Sequence, residues 1–323
     1  MGASRHKSEA QLDALNALDA AAERATQNAV IGKALGDKYF RVVAKAATLA
    51  GERSLHEREQ DLLAAYARML IDPVKRDPTC LAKQAISRAL VTLECQDVAF
   101  FLAGIRYIQL EPVWGGTADT AVDVRSSCAM GLVATGYSRA LPELATLLND
   151  PEPRAREGAA RAISCGNPRE AEPLLRFKVL ASDGQPEVLA ECFTGLLNIA
   201  PEECVSFVGT QLANANDAVR DFAALALGES RHPAALKQLR DAWDDAYVTP
   251  EMRAVLIRAA ALHRTEMAFD WLVSIIETGS RVQADITVDA LSVYARNTKL
   301  LERVRAALAK RDDDQDDGKK VHA

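Results

Sequence analysis

Aromatic side chains are scarce in this sequence of 323 residues, making up only 5% of it. Its 17 Gly and 12 Pro are too few and too scattered for a disordered or collagen-like chain. The longest apolar run, Val98–Ile105, has eight residues, far short of the ~20 that span a bilayer. The N-terminus, MGASRHKSEA, lacks the apolar core of a secretion signal. Gly2 fails as a myristoylation site because His6 stands where Ser or Thr is required. These absences fit a cytoplasmic chain with no membrane contact.

Catalytic and metal-binding patterns are missing as well. The six cysteines (Cys80, Cys95, Cys128, Cys165, Cys192, Cys204) form no CxxC or zinc spacing and read as small reduced core residues. The five histidines (His6, His56, His232, His263, His322) include no HExxH pair. GxSxG, Walker-type and GxGxxG stretches are absent, so no catalytic residue, metal or cofactor is expected. In the tail, Asp312, Asp314 and Asp316 have calcium-loop spacing, but the glycine falls one place late and no closing Glu follows. A net charge of -6 argues against a dedicated nucleic-acid binder, which must neutralise phosphates.

What the sequence has in abundance is Ala (58) and Leu (37), both strong helix formers. They are arranged periodically. The stretch Val219-Arg-Asp-Phe-Ala-Ala-Leu-Ala-Leu-Gly228 has apolar or small residues at offsets 0, +3, +4, +7 and +8, the stripe of an amphipathic helix. The same frame starts at Val42, Leu81, Val124, Ala155, Val188, Val219, Met252 and Ala284, with the last five intervals between 31 and 33 residues. A second striped segment lies between successive copies, as in Ala140–Leu148 and Ala234–Trp243. Each unit is therefore expected to be a helical hairpin that buries its stripe only by stacking on the next.

The pattern predicts outer helices over 11–34, 58–71, 97–110, 139–149, 170–181, 202–213, 233–244 and 266–277. Inner helices are predicted over 40–51, 79–94, 121–135, 153–165, 185–198, 217–229, 250–263 and 282–296. Lys299–Lys310 would cap the stack. The expected organisation is one α-solenoid over 1–310, monomeric, followed by a charged, disordered tail over 311–323. Asp217 is placed as an N-cap, and Gly51 and Gly228 as C-terminal caps.

The run from Asp217 to Leu236, with Asp150–Ile163 and Asp123–Leu132, resembles HEAT repeats, especially the short bacterial type called phycobilisome-lyase-like. The resemblance implies an all-α superhelix of about eight hairpins, with the inner helices on the concave side. It implies little about function, because such repeats serve scaffolds, adaptors and a few enzymes.

Arg125, Arg156, Arg220 and Arg253 recur at offset +1, and Asp123, Asp217 and Glu251 precede three of them. In this repeat type they resemble an inter-repeat Asp/Arg ladder. The alternative is a row of cations facing an acidic partner across the concave face, extended by Lys45, Lys83, Arg88, Arg161 and Arg258.

The longest interval, 43 residues, contains Gln109-Leu-Glu-Pro-Val-Trp-Gly-Gly-Thr-Ala-Asp-Thr-Ala-Val-Asp123, where Pro112 and Gly115-Gly116 stop any helix. Two readings of Trp114 stand: it covers a gap in the core, or it anchors a partner, with Arg106, Glu111, Asp119 and Arg125 around it. The loop Asp72–Pro78 of the preceding repeat could lie beside it.

The leading expectation is a non-enzymatic protein-interaction scaffold using the concave face and the 111–123 loop. Its partner-binding candidates are Lys45, Lys83, Arg106, Glu111, Trp114, Asp119 and Arg125. The phycobilisome-lyase-like resemblance implies, alternatively, a bilin lyase-like enzyme acting on a protein cysteine. A resemblance to HEAT-like DNA glycosylases would cast Trp114 and Asp119 in base excision.

Overall fold

Alanine at the inward positions lets neighbouring helices approach closely, and the fold is built on that approach. The computed structural model describes residues 2–19, 23–246 and 248–321, with side chains described for 8–19, 23–246 and 248–311. The side chains of His6, His322 and the Asp312–Asp316 tail lie outside the described residues. Two compact units divide the chain, Met1–Ala171 and Glu172–Ala323.

The first unit comprises α1 (Gly2–Asn16), α2 (Arg24–Leu35), α3 (Phe40–Glu52), α4 (Glu59–Met69), the single turn α5 (Pro73–Arg76), α6 (Leu81–Thr92) and α7 (Val98–Gly104). It continues with β1 (Leu110–Val113), β2 (Gly116–Asp119), α8 (Val122–Ala134), α9 (Ala140–Leu147) and α10 (Pro153–Ile163). Helices α3, α6, α8 and α10 pack in succession as the inner row, and α2, α4, α7 and α9 each pack on an inner helix as its outer partner.

Helix α11 (Pro168–Ala181) carries the boundary. The second unit continues with α12 (Pro186–Ile199), α13 (Pro201–Gly209), α14 (Asp217–Ser230), α15 (Pro233–Trp243) and α16 (Pro250–His263). It ends with α17 (Glu266–Thr278), α18 (Arg281–Ser292) and α19 (Thr298–Val321). Here α12, α14, α16 and α18 form the inner row. Each unit is thus a stack of helical hairpins, the solenoid packing that the repeat requires.

Several local expectations need correction. The segment expected as one outer helix over 11–34 is split, because α1 ends at Asn16 and α2 begins at Arg24. The N-cap of α14 is Asn216, whose side chain accepts from the amides of Ala218 and Val219. Asp217 is instead the first helical residue and pairs with Arg220.

Gly51 and Gly228 are not caps. Both lie within helices, where a Cβ on Gly51 would come within 3.2 Å of Ala89 Cα and one on Gly228 within 2.1 Å of the Ala259 carbonyl oxygen. Missing side chains there set how closely adjacent inner helices pack. Helix α19 runs through Arg311 to Val321, the segment expected as a loose tail. Five cysteines are buried as expected, and Cys165 is exposed. Burial pushes the Cys128 thiol up to about 12.

Candidate functional site

The segment expected as a loop within the 43-residue interval forms a β-hairpin. Strands β1 and β2 pair antiparallel, with Val113 opposite Gly116 across a two-residue turn, Trp114-Gly115. Gly115 has φ +87°, where a side chain would be strained. The Thr120 amide donates to the Gln109 carbonyl at 2.9 Å, so the narrow pairs fall at 109/120, 111/118 and 113/116. Pro112 therefore turns its nitrogen away from β2, and its missing N–H costs the ladder nothing.

The alternation Ile108-Gln109-Leu110-Glu111-Pro112 sends successive side chains to opposite faces. The hairpin is inverted. Gln109 and Glu111 are buried, whereas Ile108 and Leu110 are each 59% exposed and Trp114 is fully exposed at the tip. A strand pair that hides its polar side chains and shows its apolar ones needs a polar partner on the hidden face.

The 77–83 segment supplies that partner. Glu111 Oε1 accepts from the Thr79 amide (2.6 Å), Gln109 Nε2 (2.7 Å) and Thr120 Oγ1 (2.7 Å). Burial works against its charge, but these donors and the nearby Lys83 ammonium outweigh it and hold its pKa below the ordinary value. Gln109 Nε2 also donates to the Asp77 carbonyl at 3.0 Å.

The fully buried Asp77 carboxylate accepts from the Ala82 and Lys83 amides at 2.8 and 2.9 Å, capping α6 from a distance. Its Oδ2 also meets Lys83 Nζ at 2.9 Å, and Lys83 is itself fully buried. Thr79 and Cys80 are held at φ +61° and +55°, a left-handed conformation that side chains disfavour. The strain gives the Thr79 amide its place against Glu111.

Arg125 locks the other end of the hairpin. Its guanidinium, almost wholly buried, meets Asp119 at 2.6 Å, the Tyr107 carbonyl at 2.9 Å and Asp150 of the next repeat at 3.1 Å. Asp119 further accepts from the Gln109 and Ala121 amides at 3.1 and 2.9 Å.

Of the seven candidates, then, Glu111, Asp119, Arg125 and Lys83 are interior members of this bracing network and offer no free group to a partner. Arg106 is exposed but paired with Glu143 at 2.6 Å. Trp114 covers no gap in the core, so the core-cover reading falls. Lys45 lies apart from the hairpin, half-buried on α3.

The repeated arginines differ in the contacts they make. Arg156 and Arg220 donate to carbonyls of the loops that precede their own helices, Arg220 also pairs with Asp217, and Arg253 stacks on Trp243 at 5.1 Å. Arg125 reaches the carboxylate of Asp150, in the next repeat. Sequence reasoning missed Asp77, Gln109 and Thr120, although the polar positions of the period-two alternation pointed to two faces. No group of three or more metal-ligating side chains occurs among the described residues. No helix there is long and apolar enough to cross a membrane.

A family model described as HEAT repeats matches residues 173–249. That stretch carries HEAT repeats. Solved structures similar to this chain include the CpcE–CpcF complex of phycocyanin lyase from Nostoc sp. PCC7120. That likeness is 16% identical, covers 75% of this chain and 92% of that one, and has TM-score 0.39. Human deoxyhypusine hydroxylase in complex with glycerol is 16% identical over 81% of this chain and 97% of that one, with TM-score 0.32. An engineered protein is 16% identical over 94% and 89%, with TM-score 0.39. No curated protein matches the chain.

Proposed function

We propose that this chain is a non-enzymatic scaffold that binds a protein partner through the outward face of the β1–β2 hairpin. One observation carries the reading: Trp114 stands fully exposed at the tip of a hairpin whose polar side chains are consumed in bracing it. Exposed apolar surface on a rigid support is the form of a recognition element, because little ordering entropy remains to be lost on binding. Ile108 and Leu110 extend the surface below Trp114, and Trp is among the residue types most enriched at binding hot spots.

A base-excision role draws no support from Asp119, whose carboxylate is committed to Arg125 and two backbone amides. The scaffold reading is tested by capturing partners from lysate of the source organism with the wild type, Trp114→Ala and Leu110→Asp side by side. A partner held by the wild type and lost by both folded variants is expected. Equal capture by all three would remove the hairpin from the interface.

A further inference from the structure

The groove between α3 and α6 has a chemistry that the hairpin lacks. It encloses about 480 Å³ and is lined from α3 by Arg41, Lys45 and Glu52 and from α6 by Leu81 and Arg88. Arg41 and Lys45 are one helical turn apart and so share a face. Glu52 lies seven residues beyond Lys45, about 10 Å along the axis, which leaves the Arg41 end without a carboxylate. Three cations against one carboxylate make the groove positive within a chain of net charge -6.

Other cations near the inner row of this unit are already engaged. Lys83 is paired with Asp77, Arg125 with Asp119 and Asp150, and Arg154 with Asp123. Arg41, Lys45 and Arg88 have no ion-pair partner among the described residues. Gln84, which could donate into the same groove, spends its amide on Asp123 at 2.6 Å. Clustered like charges in excess of their counter-charges are unfavourable for the unbound molecule, and an anionic ligand relieves that.

We infer that this groove binds an acidic peptide segment, whose carboxylates are received by Arg41, Lys45 and Arg88. The inference rests on the scaffold reading but uses residues other than those of the hairpin. Leu81, 39% exposed at one end of the groove, offers an apolar contact for one residue of such a segment. Nucleic acid fits less well. No aromatic side chain lines the groove to stack a base, and Glu52 would repel a run of phosphates.

The test is fluorescence anisotropy on the full chain, with a labelled peptide of alternating Asp, Glu and Leu as the probe. The probe should bind in low salt and weaken steeply as salt rises, since the contacts are ionic. Lys45→Glu with Arg88→Glu should weaken it about tenfold or more, while Trp114→Ala leaves it unchanged. Lys45→Gln with Arg88→Gln, a milder pair, should give an intermediate loss with the thermal midpoint retained.

Absence of binding in low salt would overturn the inference, as would equal affinity in the charge-reversed variant. Tighter binding of a single-stranded DNA of equal charge would replace the acidic peptide with nucleic acid. Loss of the probe in Trp114→Ala alone would move the site to the hairpin. The hairpin reading stands or falls separately, on capture by Trp114→Ala and Leu110→Asp.

Discussion

Arg125 joins Asp119, at the end of the hairpin, to Asp150, in the loop of the following repeat, through one buried guanidinium. The hairpin is therefore fastened at its outgoing strand to two successive repeats. Removing this side chain leaves both carboxylates with reduced compensation, and breaking a buried pair from one side costs ~3–5 kcal/mol. Arg125→Ala should lower the stability of the first unit by about that amount in urea unfolding. A loss below ~1 kcal/mol would mean that Asp119 is held adequately by the Gln109 and Ala121 amides alone.

Glu111 and Trp114 are three residues apart and should behave oppositely. Trp114 touches no core, so Trp114→Ala should change stability by no more than ~0.5 kcal/mol. Glu111→Ala leaves the Thr79 amide without its acceptor and takes one of two acceptors from Gln109 Nε2 and from the Thr120 hydroxyl, and a buried donor left unpaired costs ~1–3 kcal/mol. Equal midpoints for the two variants would contradict the inverted hairpin. Trp114 emission should be that of a water-exposed indole in the free protein, shifting to the blue when a partner covers it.

Acid titration should expose the Glu111 network. Its folded pKa lies below the ordinary value, so the unfolded chain takes up the proton first as pH falls. The stabilisation is complete above the unfolded carboxyl pKa, near ~4.3, and is lost as pH drops through the lower folded value. Glu111→Gln should flatten this part of the stability profile of the first unit. An unchanged acid limb would assign it to other carboxylates.

How far these features could be read from the sequence depends on which interaction decides them. The repeat and most helix positions were legible because they follow from apolar periodicity alone. The caps were not: Asn216 and Asp217 are both competent, and geometry gives the role to Asn216. Gly51 and Gly228 look like terminators locally but serve contacts with helices about 30 to 40 residues away. Arg125 sits at a recurring repeat offset and Lys83 at the start of an inner helix, and both read as part of a surface row, yet the carboxylates of Asp119 and Asp77 draw them inside. The position of Trp114 on the outer side follows from the burial of Gln109 and Glu111. That burial is set by Thr79, a distant partner that no pattern within the strand reveals.

The tight contact at Gly228 gives a test of the inner-row packing in the second unit. A Cβ there would lie 2.1 Å from the Ala259 carbonyl oxygen and 2.9 Å from its Cα, backbone atoms that cannot rotate away. Gly228→Ala should force α14 and α16 apart and cost ~1–3 kcal/mol. This would override the gain that Gly→Ala brings to an isolated helix. Ala226→Leu, at a buried position of the same helix, should be similarly damaging, whereas Gly51→Ala, with its nearest atom at 3.2 Å, should be milder. A thermal midpoint raised by Gly228→Ala would show that the row is looser than drawn.

His263 makes the second unit sensitive to pH near neutrality. The fully buried ring places Nε2 3.1 Å from the His232 carbonyl and Nδ1 2.8 Å from Thr265 Oγ1. A neutral tautomer protonated at Nε2 satisfies both, donating to the carbonyl and accepting from the hydroxyl. Burial lowers its pKa, partly offset by the hydrogen bond to His232. The unfolded imidazole, with pKa near ~6.5, therefore gains a proton before the folded one does. Stability is intact above about pH 6.5 and declines as pH falls toward the folded pKa, then levels off. Trp243 and Trp271, in edge contact at 5.9 Å in the same unit, report unfolding there by fluorescence. His263→Gln can keep the donor to His232 and should remove the decline below about pH 6.5. If the wild type and this variant lose stability in parallel over that range, another group in the second unit governs its acid sensitivity.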